Sequence, residues 1–180
     1  MSKITLILGG ARSGKSTHAL KLAEESRKTV TFIATAQAFD DEMSARIQKH
    51  KAERPATWQT LELPLHIAPN IAQIQSDVVI LDCVTLWVTN LMMQFVKGDS
   101  VEEAPFLQAA RNESEALLAA IRNTEQDWLI VSNEVGLGLV PPYQMGRVYR
   151  DALGWVNQRL AQEADAVRFM VAGIPMMVKG

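Results

Sequence analysis

Short apolar runs alternate with stretches of helical periodicity along almost the whole chain. The strand-like runs are Ile4–Leu8, Val30–Ala34, Thr57–Leu61, Val78–Leu81, Trp128–Val131 and Ala166–Val171. Between them lie helix-compatible stretches at Ser16–Glu25, Asp41–Glu53, Thr85–Val96, Phe106–Asn123 and Met145–Glu163. Such alternation predicts right-handed βαβ units around a mostly parallel sheet with helices on both faces. Strands covered on both faces read as continuous apolar runs, as Val78-Val79-Ile80-Leu81 does. The run Pro175–Val178 adds an antiparallel edge strand at the C-terminus. Lys97-Gly98-Asp99-Ser100 reads as a surface loop, too short to link two domains. Leu63–Asn70 is poorly patterned, and no internal repeat is present. The expectation is one α/β domain spanning residues 1–180.

Composition narrows the class. A chain of 180 residues can bury a sizeable core, and 48% apolar with 21% charged residues is ordinary for a globular protein. A net charge of −2 with no basic tract argues against a nucleic-acid partner. The single cysteine, Cys83, excludes an internal disulfide framework and fits a reducing compartment. The apolar run after Lys3 is too short for a signal-peptide core. Leu86–Val96, the richest apolar segment, is broken by Thr89, Asn90 and Gln94 and is too short to span a bilayer. A cytoplasmic protein without a membrane span is expected.

Gly9-Gly10-Ala11-Arg12-Ser13-Gly14-Lys15-Ser16 has the spacing of a phosphate-binding loop: Gly, four residues, then Gly-Lys-Ser. It follows a predicted strand and opens a predicted helix, the context in which that spacing has a mechanism. Glycines let successive N–H groups turn inward around an anion, and the helix adds its positive N-terminal end. Lys15 then reaches the β- and γ-phosphates, and the Ser16 hydroxyl helps to hold Mg²⁺. A chance match arises in roughly one chain in two hundred of this length, and the strand–loop–helix context lowers that further. The chain is therefore expected to bind a nucleoside triphosphate.

Asp82 ends the apolar run Val78–Leu81, where P-loop enzymes place the carboxylate that orients Mg²⁺. Capping of the helix near Thr85 is the alternative role; the phosphate loop in the same chain favours the metal. Asn133 and Glu134 follow Trp128–Val131 at the strand edge where open α/β sheets place ligands, and Gly136 and Gly138 permit a close approach there. Asp40-Asp41-Glu42 opens the second predicted helix, and Lys49, His50, Lys51 and Arg54 close it, a polarity that complements the helix dipole. Met43, Ile47 and His50 share one face, with Arg46 one turn behind His50. A histidine there is either a packed residue or a nucleophile whose basic neighbours stabilise an attached phosphate. The residue pattern alone leaves both open.

Taken together, these residues resemble the bifunctional adenosylcobinamide kinase/adenosylcobinamide-phosphate guanylyltransferase family of cobalamin biosynthesis. The matches are Gly9 to Ser16, Ile33-Ala34-Thr35, Asp41-Glu42-Met43, Arg46-Ile47 with His50, Arg54-Pro55, Trp58 and Glu62. They continue with Thr89-Asn90-Leu91, Asn133-Glu134-Val135-Gly136 and Asn157-Gln158-Arg159-Leu160, in family order over nearly the whole chain. The resemblance implies a P-loop NTPase-type fold that phosphorylates adenosylcobinamide with ATP or GTP. It implies a second step in which GMP passes from GTP, through a guanylyl-histidine, to adenosylcobinamide phosphate. The nucleophile maps onto His50. Gly9 to Ser16, Ala34, Thr35, Ala36, Lys51, Ala52, Glu53, Arg54 and Glu62 map onto nucleotide-contacting positions, and the charges of Arg46, Lys51 and Arg54 suit them to stabilise the guanylyl group and the departing pyrophosphate. Relatives can carry Glu where this chain has Asp82, one methylene shorter. Lys49 stands where some relatives have a second histidine, which removes a rival nucleophile. A homotrimer with substrate sites between subunits is also implied.

Three rivals are weaker. Another small-molecule kinase on this scaffold has no use for a histidine nucleophile. A regulatory GTPase normally carries Asn-Lys-x-Asp, which is absent, and Asp151-Ala152-Leu153-Gly154 falls inside a helical pattern. A nucleic-acid-dependent ATPase conflicts with the charge balance. His18 and His66 lack neighbours suited to metal ligation and read as structural. Trp58, Trp87, Trp128 and Trp155 are dispersed, as core or interface residues are.

Overall fold

Alternate residues of the central strands feed two separate cores. A computed structural model describes residues 2–38 and 40–180, and of Glu42 and Arg46 it describes only the backbone. The elements are β1 (Ile4–Gly9), α1 (Lys15–Ser26), β2 (Val30–Ala34), α2 (Asp41–Ala52), β3 (Gln59–Glu62), a 3₁₀ helix at Ala68–Gln73, β4 (Val78–Asp82) and α3 (Val84–Met93). A two-stranded hairpin, β5 (Val96–Lys97) and β6 (Ser100–Val101), precedes α4 (Glu103–Arg122), β7 (Asp127–Val131), α5 (Gln144–Glu163), β8 (Ala166–Val171) and β9 (Ile174–Lys179). The sheet runs β3-β2-β4-β7-β1-β8-β9, parallel throughout except for the antiparallel β8–β9 pair. Val79 and Leu81 of β4, Trp128 and Ile130 of β7 and Leu6 of β1 pack with Trp87, Phe106 and Leu153 from α3, α4 and α5. Val78, Ile80, Leu129, Val131 and Ile7 point the other way, with Ala19 and Ala23 of α1. A strand's two-residue period divides each continuous apolar run between the two cores.

Where the structure departs from the sequence pattern, tertiary contacts decide. The helix expected over Thr85–Val96 stops at Met93, because Phe95 turns out to meet the Phe106 ring, at 6.2 Å between centroids, and Val96 pairs with Val101. The predicted loop Lys97–Ser100 is the tip of that hairpin. Helix α4 starts at Glu103, three residues before Phe106, since Pro105 in the first turn lacks only an N–H that has no intrahelical partner. Strand β3 starts at Gln59 because Thr57 and Trp58 belong to a turn closed by the Trp58 N–H to Pro55 O, 3.0 Å. The unpatterned segment leads into the 3₁₀ helix, tied down by buried Ile67 and Ile71.

Strands β8 and β9 are joined by the two residues Ala172 and Gly173, at φ +50° and +82°. Two left-handed residues in a two-residue hairpin loop make a type I′ turn, which favours Asn-Gly and strains an alanine. Ala172 is exposed. Ala172→Asn is therefore expected to stabilise the protein by about 0.5–1 kcal/mol, read as a rise of about 1–4 °C in thermal midpoint. An unchanged or lower midpoint would contradict the strain.

Candidate active site

The phosphate loop connects β1 to α1, and glycine conformations and backbone hydrogen bonds set its shape. Gly14, the N-cap of α1, has φ +91°, a conformation closed to most side chains. At Gly9 a β-carbon would stand 2.7 Å from Met170 O, so only glycine lets the loop leave β1 against β8. The Gly173 N–H of the β8–β9 turn donates to Ser13 O at 3.0 Å and holds the loop from outside. Lys15 is buried, and its ammonium donates to Gly10 O at 2.6 Å, with Ser13 Oγ at 3.5 Å. Burial lowers the Lys15 pKa, opposed by the nearby Asp82 carboxylate. No acidic residue occupies the first turn of α1, so its positive end faces the loop unopposed.

Asp82, at the end of β4, receives a side-chain hydrogen bond from Ser16. The N-cap of α3 is Cys83, without a side-chain cap, so Asp82 does not cap that helix. Burial raises the Asp82 pKa, against the Ser16 bond and the charges of His50, Arg54 and Lys15. The Cys83 thiol is pushed up to about 12, by burial first and then by Asp82, so it stays protonated and is no rival nucleophile. Strand β7 lies between β4 and β1, so Asp82 and the phosphate loop meet across an intervening strand.

A buried polar framework sets the height of the surrounding loops. The Thr35 hydroxyl donates to Cys83 O and accepts from Cys83 N–H, each at 2.8 Å. Asn90 donates to Thr35 O at 2.8 Å and Pro64 O at 3.0 Å. The Asn133 N–H donates to Thr85 Oγ1 at 2.8 Å, and Asn157 donates to Asn133 O at 2.9 Å. These bonds join α3 and α5 to the carboxyl ends of β2, β4 and β7. Removing one partner leaves a buried carbonyl or N–H unpaired, at a cost of about 1–3 kcal/mol.

Two cavities meet at His50. One, of about 630 Å³, lies over residues 11–17 and is closed by Cys83, Thr85, Leu86 and Asn133. The other, of about 620 Å³, is lined by Ala34, Lys51, Arg54, Glu62 and Asp82. Ala36, Ile47 and His50 belong to both. In the second cavity the Arg54 guanidinium lies 3.6 Å over the Phe32 ring, and its Nε and Nη1 are buried without a partner among the described residues. Its pKa is lowered by burial, opposed by Asp82 and Glu62. Lys51 pairs with Glu62. Glu53 Oε2 stands 3.3 Å from His50 Nδ1.

Not every residue expected at the nucleotide lines these cavities. The Thr35 side chain is fully buried and grips Cys83 instead of lining either cavity. Ala52 and Glu53 sit at the end of α2, outside both linings, and Glu53 pairs with His50. Glu134 Oε1 accepts from the Gly136 N–H at 2.5 Å, so it shapes its own loop, whereas Asn133 lines the first cavity. The Arg46 side chain lies outside the described residues. His18 meets Arg168 at 2.9 Å and His66 meets Glu113 at 3.4 Å, and no group of three or more potential metal ligands exists among the described residues. The sequence reading missed Cys83, Thr85 and Leu86 as cavity walls and Asn90 as a brace. The first three were signalled by their position just after a ligand-edge strand, but Asn90 carried no local signal.

A parallel sheet with a phosphate loop after β1, Asp82 beside it and two cavities at its carboxyl edge defines a P-loop enzyme that transfers groups from nucleotides. The chain belongs to the cobinamide kinase / cobinamide phosphate guanyltransferase family, which matches over residues 5–178. It is 46% identical to the bifunctional adenosylcobalamin biosynthesis protein CobP of Pseudomonas aeruginosa over 97% of this chain and 96% of that one. It is 42% identical to the bifunctional adenosylcobalamin biosynthesis proteins CobU of Salmonella typhimurium and of Escherichia coli, over 97% of this chain and 98% of each. The flagellar accessory protein FlaH of Methanocaldococcus jannaschii shares the fold alone, with a TM-score of 0.52 at 12% identity, over 98% of this chain and 78% of FlaH.

Proposed function

We propose that this enzyme phosphorylates adenosylcobinamide with ATP or GTP and then transfers GMP from GTP, through His50, to give adenosylcobinamide-GDP in cobalamin biosynthesis. The observation that carries it is the position of His50, which faces both the phosphate-loop cavity and the cavity of Lys51, Arg54 and Glu62. In the kinase step the acceptor hydroxyl attacks the γ-phosphorus and gives up its proton to solvent, the β–γ P–O bond breaks and the nucleoside diphosphate leaves, while Lys15 and the loop N–H groups neutralise the developing charge. In the second step Glu53 holds the His50 Nδ1–H and leaves the Nε2 lone pair to attack the α-phosphorus of GTP. A P–N bond forms, the α–β P–O bond breaks, and pyrophosphate departs. Attack by adenosylcobinamide phosphate on the same phosphorus then restores the imidazole. Lys51 and Arg54 are placed to balance charge on the guanylyl group and the leaving pyrophosphate.

The donor set fits Mg²⁺, which keeps several waters and needs only one or two protein oxygens beside the phosphates. Ser16 and Asp82 supply these, and their hydrogen bond keeps them together. Bound there, Mg²⁺ withdraws charge from the phosphate oxygens. Asp82→Asn preserves size and removes the charge, so both activities should fall by about 10–100-fold, most at limiting Mg²⁺. Wild-type rates at limiting Mg²⁺ would remove Asp82 from the metal site.

A homotrimer fits the exposed apolar side chains Ile174, Met176, Met177 and Val178 of edge strand β9, whose outer edge has no strand partner among the described residues. No helix among the described residues is long and apolar enough to cross a membrane. Mass spectrometry after incubation with GTP and Mg²⁺ tests the central step. GMP should appear on His50; an unmodified protein, or GMP on another residue, would leave a kinase without guanylyl transfer.

A further inference from the structure

Four large apolar side chains stand in water on the loop between β7 and α5. Leu137, Leu139, Val140 and Tyr143 are 81%, 96%, 62% and 63% exposed. Single exposed apolar residues are ordinary, but four within the segment 137–143 on a backbone held at both ends mark a contact surface. This backbone is fixed at both ends. The Glu134 N–H donates to Gly9 O at 3.1 Å, so the loop starts against the phosphate loop itself. At the far end the Arg147 guanidinium donates to Pro141 O at 3.1 Å and Pro142 O at 2.8 Å. The two prolines restrict the backbone further, which lowers the ordering cost of binding. The loop is thus held open, with its leucines away from the core.

Its position narrows what covers it. Asn133, from which the loop rises, lines the cavity over the phosphate loop. A nucleotide is already provided for by the phosphate loop, Lys51 and Arg54, and it has no need of exposed leucines. The acceptor does. It reacts twice, each time through its aminopropanol arm, and carries the same apolar macrocycle with amides at the rim both times. A second copy of this chain is better matched to β9, which offers free backbone groups as well as apolar side chains. Resting on the reading of the chain as a cobinamide kinase and guanylyltransferase, we propose that Leu137, Leu139, Val140 and Tyr143 form the platform on which the corrin macrocycle docks. Its arm then enters the phosphate-loop cavity past Asn133, toward Lys15. The macrocycle stays on the rim in both reactions while the arm changes from alcohol to phosphate.

The test uses the double variant Leu137→Ser/Leu139→Ser, whose side chains stand in water and contribute little to folding. Adenosylcobinamide binding, followed by corrin absorbance, should weaken about tenfold or more, as expected for losing burial of two leucines on the ligand. The loss should appear in the KM for acceptor in both reactions, as for contacts shared by ground and transition states. Leu137→Met/Leu139→Met should restore binding. Labelling of His50 by GTP needs no acceptor and should be unchanged. Normal labelling with unchanged adenosylcobinamide affinity overturns the platform. Altered sedimentation of the serine variant also overturns it and makes the loop a contact between copies. Absence of labelling in the wild-type protein would instead overturn the reading on which the platform rests.

Discussion

His50→Asn is expected to abolish covalent attachment of GMP while GTP still binds. An amide nitrogen has no free lone pair to offer phosphorus, whereas His50 Nε2 does when Nδ1 is held by Glu53. The phosphate loop, Lys15 and Asp82 are untouched, so affinity for GTP should change little. Formation of adenosylcobinamide-GDP should fall by on the order of 10³-fold or more, the scale of losing a covalent nucleophile. Phosphorylation of adenosylcobinamide requires no enzyme-bound intermediate and should persist at least in part. The wild-type adduct, a phosphoramidate, should be labile in acid, stable in alkali and discharged by adenosylcobinamide phosphate. A normal rate of adenosylcobinamide-GDP formation by the variant would exclude His50 as nucleophile. This result separates the guanylyltransferase from every P-loop kinase that lacks a covalent step.

Lys15→Ala should weaken binding of ATP and GTP by on the order of 10²–10³-fold, because a buried cation paired with phosphate is removed and nothing nearby can replace it. Its ammonium sits 2.6 Å from Gly10 O, so it braces the loop before it meets phosphate. Loss of that bond should lower stability by only about 1 kcal/mol, leaving a folded protein. Calorimetric titration checks the affinity and a thermal melt checks the fold. An alanine variant with wild-type affinity would place the triphosphate away from the loop. One that unfolds would make Lys15 chiefly structural.

Features that depend only on neighbours along the chain were legible without the fold. The phosphate loop was legible because its chemistry is built from eight consecutive residues, Gly9 to Ser16, with the strand and helix they join. Strand β2, β8 and the polarised helix α2 were legible because apolar runs and end charges are local properties, and the family was legible because its motifs recur in order. Tertiary structure decided everything that depends on which way a side chain turns or which element comes to lie beside another. Thr35 sits between Ala34 and Ala36, which line the nucleotide cavities, yet faces the core because alternate residues of an extended segment point to opposite sides. The choice between helix cap and Ser16 partner for Asp82 required the meeting of β4 with the phosphate loop. Asn90 became a brace only when α3 packed beneath the ends of β2 and β3. The helix pattern left the role of His50 open, and its place at the seam of two cavities came only from the packing of α2. Burial, reach and the pairing of distant polar groups are properties of the folded chain, and no window of sequence contains them.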